Sequence, residues 1–277
     1  MTDSIKTSKM PIKYDIETVQ SLSIVVGILM GVMSLGGLIL PEVVFTTDEL
    51  VQAFVPTEVV NLIIGLPILF GSIWLTRRAK LVGLLLWPGA LLYVLYNYIA
   101  YVFGRPYDLL AFVYLALVLL SAYTVFDLLR VIDKRSVQAH LDGVVSEKIS
   151  GWVLIAFGML FIFRAISVIA EASGSQITLP AFEISILIAD SVLSVLMIAG
   201  GVLLLRRMPL GYVSGLGLLF SATTLFIGLI IFLLLQPLLT EAAFVLSDVI
   251  VVFIMGLICS IPFGLYMRGV VSSGKPA

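Results

Sequence analysis

Eight long apolar stretches, separated by shorter polar segments, dominate the pattern of residues along the chain. A helix needs roughly 20 apolar residues to cross the ~30 Å hydrocarbon core of a bilayer, and each stretch reaches about that length. Because the stretches are continuous rather than alternating, they predict membrane-spanning helices and not barrel strands. The predicted spans cover residues about 21–40, 58–76, 81–103, 108–129, 149–171, 183–205, 209–235 and 245–267.

The composition of the chain agrees with this pattern. Its 277 residues are 61% hydrophobic and 12% charged, and the charged fraction is about half of that usual in soluble domains. We therefore expect an all-α integral membrane protein with eight transmembrane helices. The single cysteine, Cys259, lies in the last predicted span, which excludes an intrachain disulfide.

The distribution of basic residues between loops predicts the orientation of the chain. Lysine and arginine are concentrated in every second loop along the chain, so these loops lie on one side of the membrane. The loops on the opposite side contain mainly acidic residues, and their only basic residue is Arg105. The polar residues 1–20, with no cleavage site after the first apolar run, predict a cytoplasmic tail rather than a signal peptide. Both termini should be cytoplasmic, in a multi-pass protein of the plasma membrane. The basic residues on this side are Lys6, Lys9, Lys13, Arg77, Arg78, Lys80, Arg130, Lys134, Arg135, Lys148, Arg206, Arg207, Arg268 and Lys275.

The two halves of the chain resemble each other. Segments 61–78 and 190–207 have equal length and both end in Arg-Arg, and each precedes a short turn and a glycine-bearing span. Because each half has an even number of spans, the pattern predicts parallel four-helix repeats about an axis along the membrane normal. The predicted organisation is a tail at 1–20, a first repeat at 21–130, a cytoplasmic linker at 131–148, a second repeat at 149–268 and a tail at 269–277.

The most polar residues inside four of the spans lie at one depth. Each is 16 or 17 residues from a basic residue at the predicted cytoplasmic end of its span. At about 1.5 Å per residue, this distance is about 24 Å, which places the layer in the outer leaflet. In the alignment of the two halves, Asn61 and Asp190 occupy the same position. The four residues are Asn61, Asn97, Arg164 and Asp190.

Arg164 has one clear candidate partner. Asp190 is a carboxylate at the same depth, and the two spans that carry these residues are joined by a short outer loop. Pairing relieves much of the cost of burying either charge alone, so we predict an Arg164–Asp190 ion pair. Glu171, two turns further out on the same face, is a second candidate partner or a residue at the rim of the site.

The third span extends this polar layer. Tyr93 and Asn97 are four residues apart and share one helix face, and Tyr93 lies deep enough that its hydroxyl needs a partner. A structural interpretation competes, in which the ion pair pins two helices and the amides hydrogen-bond across helices. The functional interpretation is an outward-facing ligand pocket, with Glu171 at its rim, lined by Tyr93, Asn97, Asn61, Arg164 and Asp190.

Sequence motifs for catalysis, metals and cofactors are missing from the spans. The lone histidine, His140, lies in the central loop, and the chain has no HExxH, CxxC, G-x-x-x-x-G-K-[ST] or G-x-S-x-G motif. We predict no catalytic residue, metal site or cofactor. The net charge of −1 gives no indication of nucleic-acid binding.

Residues about 36–118 resemble a known group of sequences. The segment contains GLILPEV and then GLPILFGSIWLTRRAKLVGLLLWPGALLYVLYNYIAYVFGRPYDLLAFVYLAL, in which an arginine-bearing turn precedes a tyrosine-rich span. This pattern is similar to that of a family of uncharacterised prokaryotic multi-pass membrane proteins. The resemblance implies no activity, cofactor or site residue.

Three functions are open at this point. The leading hypothesis is binding or translocation of a small polar or amphipathic ligand at the outer-leaflet pocket. Arg164 would hold an anionic group there, and Asp190 would orient Arg164 or couple to a proton or cation. One alternative is a non-catalytic membrane scaffold or assembly partner, and a second is a lipid- or quinone-modifying membrane enzyme. The expected partners are the lipid bilayer and a small-molecule or lipid ligand.

Overall fold

A computed structural model of the protein describes residues 10–273. Within this range, eight helical runs are long and apolar enough to cross a membrane, which confirms the prediction of an all-helical multi-pass membrane protein. The runs are α1 (Glu17–Ile39); α3 (Asp48–Val60), a π-helical turn (Asn61–Gly65) and α4 (Leu66–Arg77) as one; α5 (Leu81–Gly104); α6 (Leu109–Val131); α8 (Glu147–Ser175); α9 (Ala181–Leu205); α10 (Pro209–Leu239); and α11 (Leu246–Ser273). Two short helices, α2 (Pro41–Val44) and α7 (Lys134–Leu141), lie between them.

The largest difference from the predicted bounds is in the second span, and the first and last spans also extend beyond their predicted ends. The second span begins at Asp48, ten residues before the predicted start, where the Thr47 hydroxyl caps the helix by accepting a hydrogen bond from the Leu50 amide at 3.3 Å. Helix α1 begins at Glu17 and α11 continues to Ser273, so both enter segments that were predicted as tails. Residues 1–9 and 274–277 of those tails, with Lys6, Lys9 and Lys275, lie outside the described residues.

Helix α5 is the central helix of the bundle. In an apolar 18-residue segment of α5, 78% of the residues are buried, whereas 22% are buried in the corresponding segments of α6, α8 and α11. It packs against α4, α6, α9 and α10. The indole of Trp87, fully buried, donates a hydrogen bond to the Ser23 hydroxyl of α1 at 3.0 Å. The polar side chains of α5 are therefore positioned between helices of both halves of the chain.

Helices α5 and α10 cross at a pair of glycines. A Cβ atom on Gly89 would overlap the carbonyl oxygen of Gly217, and one on Gly217 would lie 3.1 Å from the Gly89 amide nitrogen. Backbone therefore touches backbone, a contact that residues without a side chain permit. This crossing joins the first four spans directly to the last four.

Two turns of the chain have the same geometry. Ala79, between α4 and α5, has φ 55°, and Arg207, between α9 and α10, has φ 53°. Each of these left-handed residues belongs to a Schellman motif, whose two backbone hydrogen bonds measure 2.9–3.1 Å. In both turns the next helix begins two residues later, so α5 and α10 start in the same way.

The predicted linker at 131–148 is an ordered part of one end of the bundle. It contains α7, which packs against α10. Ile132 forms a β-bridge with Ile12, which attaches the segment before α1 to the segment after α6. A Cβ atom on Gly269 would lie 2.8 Å from the Val144 carbonyl oxygen, so the last turns of α11 also reach this end.

A polar cluster fixes the linker to α10. The Tyr212 hydroxyl lies 2.7 Å from carboxylate oxygens of both Asp142 and Glu147. The Arg207 guanidinium lies 3.2 Å from Glu147, and the Gln138 amide of α7 donates to the Arg207 carbonyl at 2.7 Å. The phenol has one proton, so it can donate to only one of the two carboxylates at a time. Arg207 lies near both carboxylates and supplies a positive charge that partly compensates them. The linker and the α9–α10 turn are therefore held as one unit.

We expect Gly89→Ala to destabilise the protein by roughly 1–3 kcal/mol, because the new methyl group forces the two helix backbones apart. Gly71→Ala is the matched control, since no atom lies within 4 Å of a Cβ there. The control should be neutral or more stable by up to about 1 kcal/mol, from the higher helix propensity of alanine. Thermal unfolding of the detergent-solubilised variants measures the difference, and equal midpoints would contradict the importance of the crossing.

Candidate functional site

The predicted ion pair between α8 and α9 is present. Arg164 donates through Nη1 to one carboxylate oxygen of Asp190 at 2.7 Å. Tyr96 of α5 donates its hydroxyl to the other carboxylate oxygen at 2.8 Å. Three helices therefore converge on one carboxylate. The set of residues chosen from the sequence omits Tyr96, which directly precedes Asn97.

The two members of the ion pair differ in exposure. The Asp190 side chain is 7% exposed, whereas the Arg164 side chain is 45% exposed. Around Arg164, helix α8 presents Phe163 and Ile166 to the outside of the bundle. The guanidinium therefore lies on the flank of an apolar helix, where a membrane molecule can reach it. The buried carboxylate behind it holds the guanidinium in position.

Two further predicted site residues lie on the same stretch of α5. Asn97 is half-buried, and its amide donates to the Tyr93 backbone carbonyl at 3.0 Å. Tyr93 is fully buried against α10, where a Cβ atom on Gly228 would lie 3.5 Å from its hydroxyl. Among the hydrogen bonds of residues 10–273, neither side chain contacts Arg164 or Asp190.

The surroundings of the ion pair are apolar on one side and open on the other. A shallow crevice between α5 and α9 runs beside the carboxylate, and Tyr96 and Ala189 line it together with Leu92, Leu95 and Leu193. Glu171, the predicted rim residue, is exposed on α8 and takes part in none of the ion pairs found within residues 10–273. Arg164, Asp190 and Tyr96 therefore form a compact polar group at the edge of an apolar surface.

Asn61 lies in a second polar cluster, on a different side of α5. Its side chain faces the carboxylate of Glu58, one turn earlier in the same span, and Ser34 of α1 and Tyr101 of α5 face that carboxylate too. Tyr96 and Tyr101 are five residues apart, so they point about 140° apart around the helix. The residues predicted to line one pocket are therefore divided between two clusters.

Glu58 is a buried charged residue that the sequence analysis missed. It is fully buried, and within the described residues neither of its carboxylate oxygens has a hydrogen-bond partner of normal geometry. The same holds for the side-chain polar atoms of Ser34, Asn61 and Tyr101. Helix α1 packs directly on the carboxylate, because a Cβ atom on Gly37 would lie 2.9 Å from Glu58 Oε1.

Arg105, which follows the last residue of α5, is a buried cation that faces this cluster. Its guanidinium donates to the Tyr114 hydroxyl at 2.8 Å, to the Val44 carbonyl and to the Asp108 carboxylate at 3.2 Å. Within residues 10–273 it forms no ion pair with Glu58, and its Nε has no partner. One N–H donor of a buried cation that faces this cluster is therefore unused.

The π-helical turn adjoins this cluster for a local reason. The Leu66 amide donates to the Asn61 carbonyl, five residues back. Pro67 follows, and its ring would clash with the carbonyl four residues earlier in a regular α-helix. The wider turn accommodates the ring and inserts one residue into the helix. The inserted residue therefore rotates the part of the span that carries Glu58 and Asn61 about the helix axis, relative to α4.

The position of Glu58 explains why the sequence analysis overlooked it. Hydropathy predicts that the second span starts at residue 58, just after Pro56, so Glu58 is the first residue of the predicted span. In the structure the helix runs from Asp48 through Pro56, which puts Glu58 about 15 Å from its start. The apolar residues at 50–51 and 53–55 are the signal that could have extended the span.

Comparison with known proteins supplies no family for this geometry. No protein-family model, curated protein or solved structure matches this chain. Within residues 10–273, no group of three or more His, Cys, Asp and Glu side chains could hold a metal ion. Function is therefore argued from the two polar clusters themselves.

The unequal burial of the ion pair predicts unequal effects of its removal. Arg164→Gln should destabilise the protein by about 3–5 kcal/mol, because it leaves the buried Asp190 without its cation. Asp190→Asn should cost less, since the half-exposed Arg164 can extend toward the membrane boundary. The double variant should be more stable than Arg164→Gln alone. A double-mutant cycle of thermal unfolding measures the coupling, and additive effects would contradict an energetically important pair.

Proposed function

We propose that the protein binds an amphipathic molecule with an anionic head group at Arg164 and carries it within or across the membrane. The observation that supports this proposal is a half-exposed guanidinium, fixed by a buried carboxylate, beside an apolar crevice on the flank of the bundle. A charge that served only to pin α8 to α9 would be expected to lie inside the bundle. Here the carboxylate lies inside and the cation faces outward.

The guanidinium retains donors for a ligand. An arginine has five N–H donors, and within the described residues Arg164 uses only Nη1, toward Asp190. Carboxylate, phosphate and sulfate groups accept paired hydrogen bonds from such a planar group. Asp190, held in turn by Tyr96, limits the rotation of the arginine. The site is therefore pre-organised for an anionic oxygen group.

The apolar crevice lies where the hydrocarbon part of an amphipathic ligand would contact the protein. Tyr96, which binds Asp190, lines it together with Leu92 and Leu95 of α5 and Leu193 of α9. The crevice itself has a volume of only about 10 Å³, so an alkyl chain would lie over it, against these apolar side chains, while its head group reached Arg164. This arrangement favours an amphipathic ligand over a purely polar one.

We also propose that the chain consists of two parallel four-helix repeats. Supporting this, the turns at Ala79 and Arg207 match with an offset of 128 residues (207 − 79), and Gly89 and Gly217, which touch each other, have the same offset (217 − 89). Equivalent residues meet in this way at a two-fold axis. The extra residue of the π-helical turn raises the offset to 129 before it, so Asn61 again corresponds to Asp190 (190 − 61).

We also propose an orientation of the chain and the membrane in which it lies. The end of the bundle that gathers Lys13, α7 and the α9–α10 turn carries most of the basic residues, so we assign it to the cytoplasm. Both chain termini then lie inside, and the Arg164 site lies in the outer leaflet. The plasma membrane is the location that this reasoning favours.

Native mass spectrometry tests the binding site with defined probes. Dodecyl phosphate should bind the solubilised protein, and dodecanol, which lacks the charge, should bind at least about tenfold more weakly, as expected for loss of a charge-assisted contact. Arg164→Gln should lose the preference for the phosphate. Arg206→Gln, which removes an exposed charge at the other end of α9, should keep it.

Two results would count against this function. Equal binding of both probes by the folded wild-type protein would show that Arg164 does not recognise an anion. Unchanged selectivity in a folded Arg164→Gln variant would place the anion elsewhere. If the variant is less stable and neither protein retains an anionic molecule, the pair is a structural link, and the scaffold hypothesis replaces this one.

A further inference from the structure

The cluster around Glu58 has one negative charge that the contacts of the described residues do not compensate. Within residues 10–273, Glu58 and Asp108 are two carboxylates and Arg105 is the one cation that faces them, so the sum is −1 (+1 − 2). Arg105 is already paired with Asp108 at 3.2 Å. Glu58 is therefore the carboxylate left without a cation, and it is the more deeply buried of the two.

An ionised carboxylate in this position is expensive. Removing an unpaired charge from water costs several kcal/mol even after relaxation of the protein, and such a group lowers the cost by taking up one positive charge. The hydroxyls of Ser34 and Tyr101 and the amide of Asn61 face the carboxylate, yet these atoms make no hydrogen bond of normal geometry within residues 10–273. Neutral groups of this kind can position a proton on the carboxyl group but cannot supply the missing charge.

The packing around the carboxylate selects the smallest cation. On one side the Gly37 backbone of α1 is so close that a methyl group there would contact Oε1 at 2.9 Å. A metal ion needs a shell of several oxygen ligands and also room at the centre of that shell, and α1 already occupies one side of the carboxylate. A proton needs only one carboxylate oxygen and an acceptor, which the Asn61 carbonyl oxygen or a hydroxyl provides.

We propose that Glu58 is a proton-binding site inside the membrane, and that Arg105 compensates its charge when the proton leaves. On release, the carboxyl O–H bond breaks and the proton passes to water at the Asp108 end of the bundle, where the Asp108 side chain is 42% exposed. The unused Nε–H of Arg105 then pairs with the carboxylate. Asp108, which Arg105 binds through Nη2, then shares the guanidinium with Glu58, and water can solvate its exposed side chain as well.

The groups that face Glu58 come from three neighbouring elements. Helix α5 contributes Tyr98 and Tyr101 and is followed by Arg105, helix α6 contributes Tyr114, and α1 contributes Ser34. Arg105 is the charged member, since the tyrosines are neutral at physiological pH. The proton equilibrium at Glu58 is therefore controlled mainly by burial and by the distance to one guanidinium.

Infrared difference spectroscopy of the full-length protein in lipid vesicles tests this site. The wild-type protein should show the carbonyl stretch of a protonated carboxylic acid at neutral pH, shifted in deuterated water and lost at alkaline pH. Glu58→Gln should lack this band. Asp190→Asn, the matched control, removes a different buried carboxylate and should keep the band. The Arg105→Gln variant should hold the band to more alkaline pH, because the ionised form loses its cation.

Each other outcome overturns the proposal. A band that persists in Glu58→Gln belongs to another acid. Absence of the band in the wild-type protein means that Glu58 is ionised, and stabilisation by sodium chloride over choline chloride would then identify a metal ion instead. If Glu58→Gln does not fold, the Arg105→Gln titration decides alone, and an unchanged pH of band loss contradicts the pairing. None of these results depends on ligand binding at Arg164, so the two proposals fail separately.

Discussion

The backbone contact of α5 with α10 at Gly89 and Gly217 is the constraint on which the arrangement of both polar clusters depends. It fixes α5 in the middle of the bundle, with helices of both halves around it. Two faces of one helix then meet two different carboxylates, Asp190 through Tyr96 and Glu58 through Tyr101. A larger residue at the crossing would move α5 and change the distances in both clusters at once.

The two carboxylates meet the cost of burial in different ways. Asp190 is at the edge of the interior, and a cation from a neighbouring helix and a phenol satisfy its two oxygens. Glu58 is fully inside, and the cation that faces it is bound to another acid. Because hydrocarbon offers no water to either group, the protein supplies the compensation itself. This difference makes one cluster a candidate for anion binding and the other a candidate for proton binding.

Sequence reasoning reached the features that depend on hydropathy and helix rise. The eight spans follow from the length of apolar runs, and the Arg164–Asp190 pair follows from equal depth on adjacent helices. The depth of a residue in the membrane does not tell which way its side chain points around the helix axis. The sequence therefore could not show that the side chain of Asn61 points toward Glu58. Pro56 and the π-helical turn shifted the start and the faces of the second span, which hid Glu58. The docking of α7 depends on long-range contacts of Gln138 and Tyr212 that no local pattern contains.

A single continuous helix connects the two clusters, and this connection has a mechanical consequence. Tyr96 and Tyr101 belong to α5, and Arg105 follows its last residue, so an axial shift or rotation of α5 displaces the hydroxyl at Asp190 and the groups around Glu58 together. Pro88 lies beside the crossing and has no amide hydrogen, so the hydrogen bond to the Leu84 carbonyl is missing there. The helix is therefore weakest against bending next to the point where it is held. Movement of its far half about the crossing is the simplest way for a change of charge at Glu58 to reach the Arg164 site.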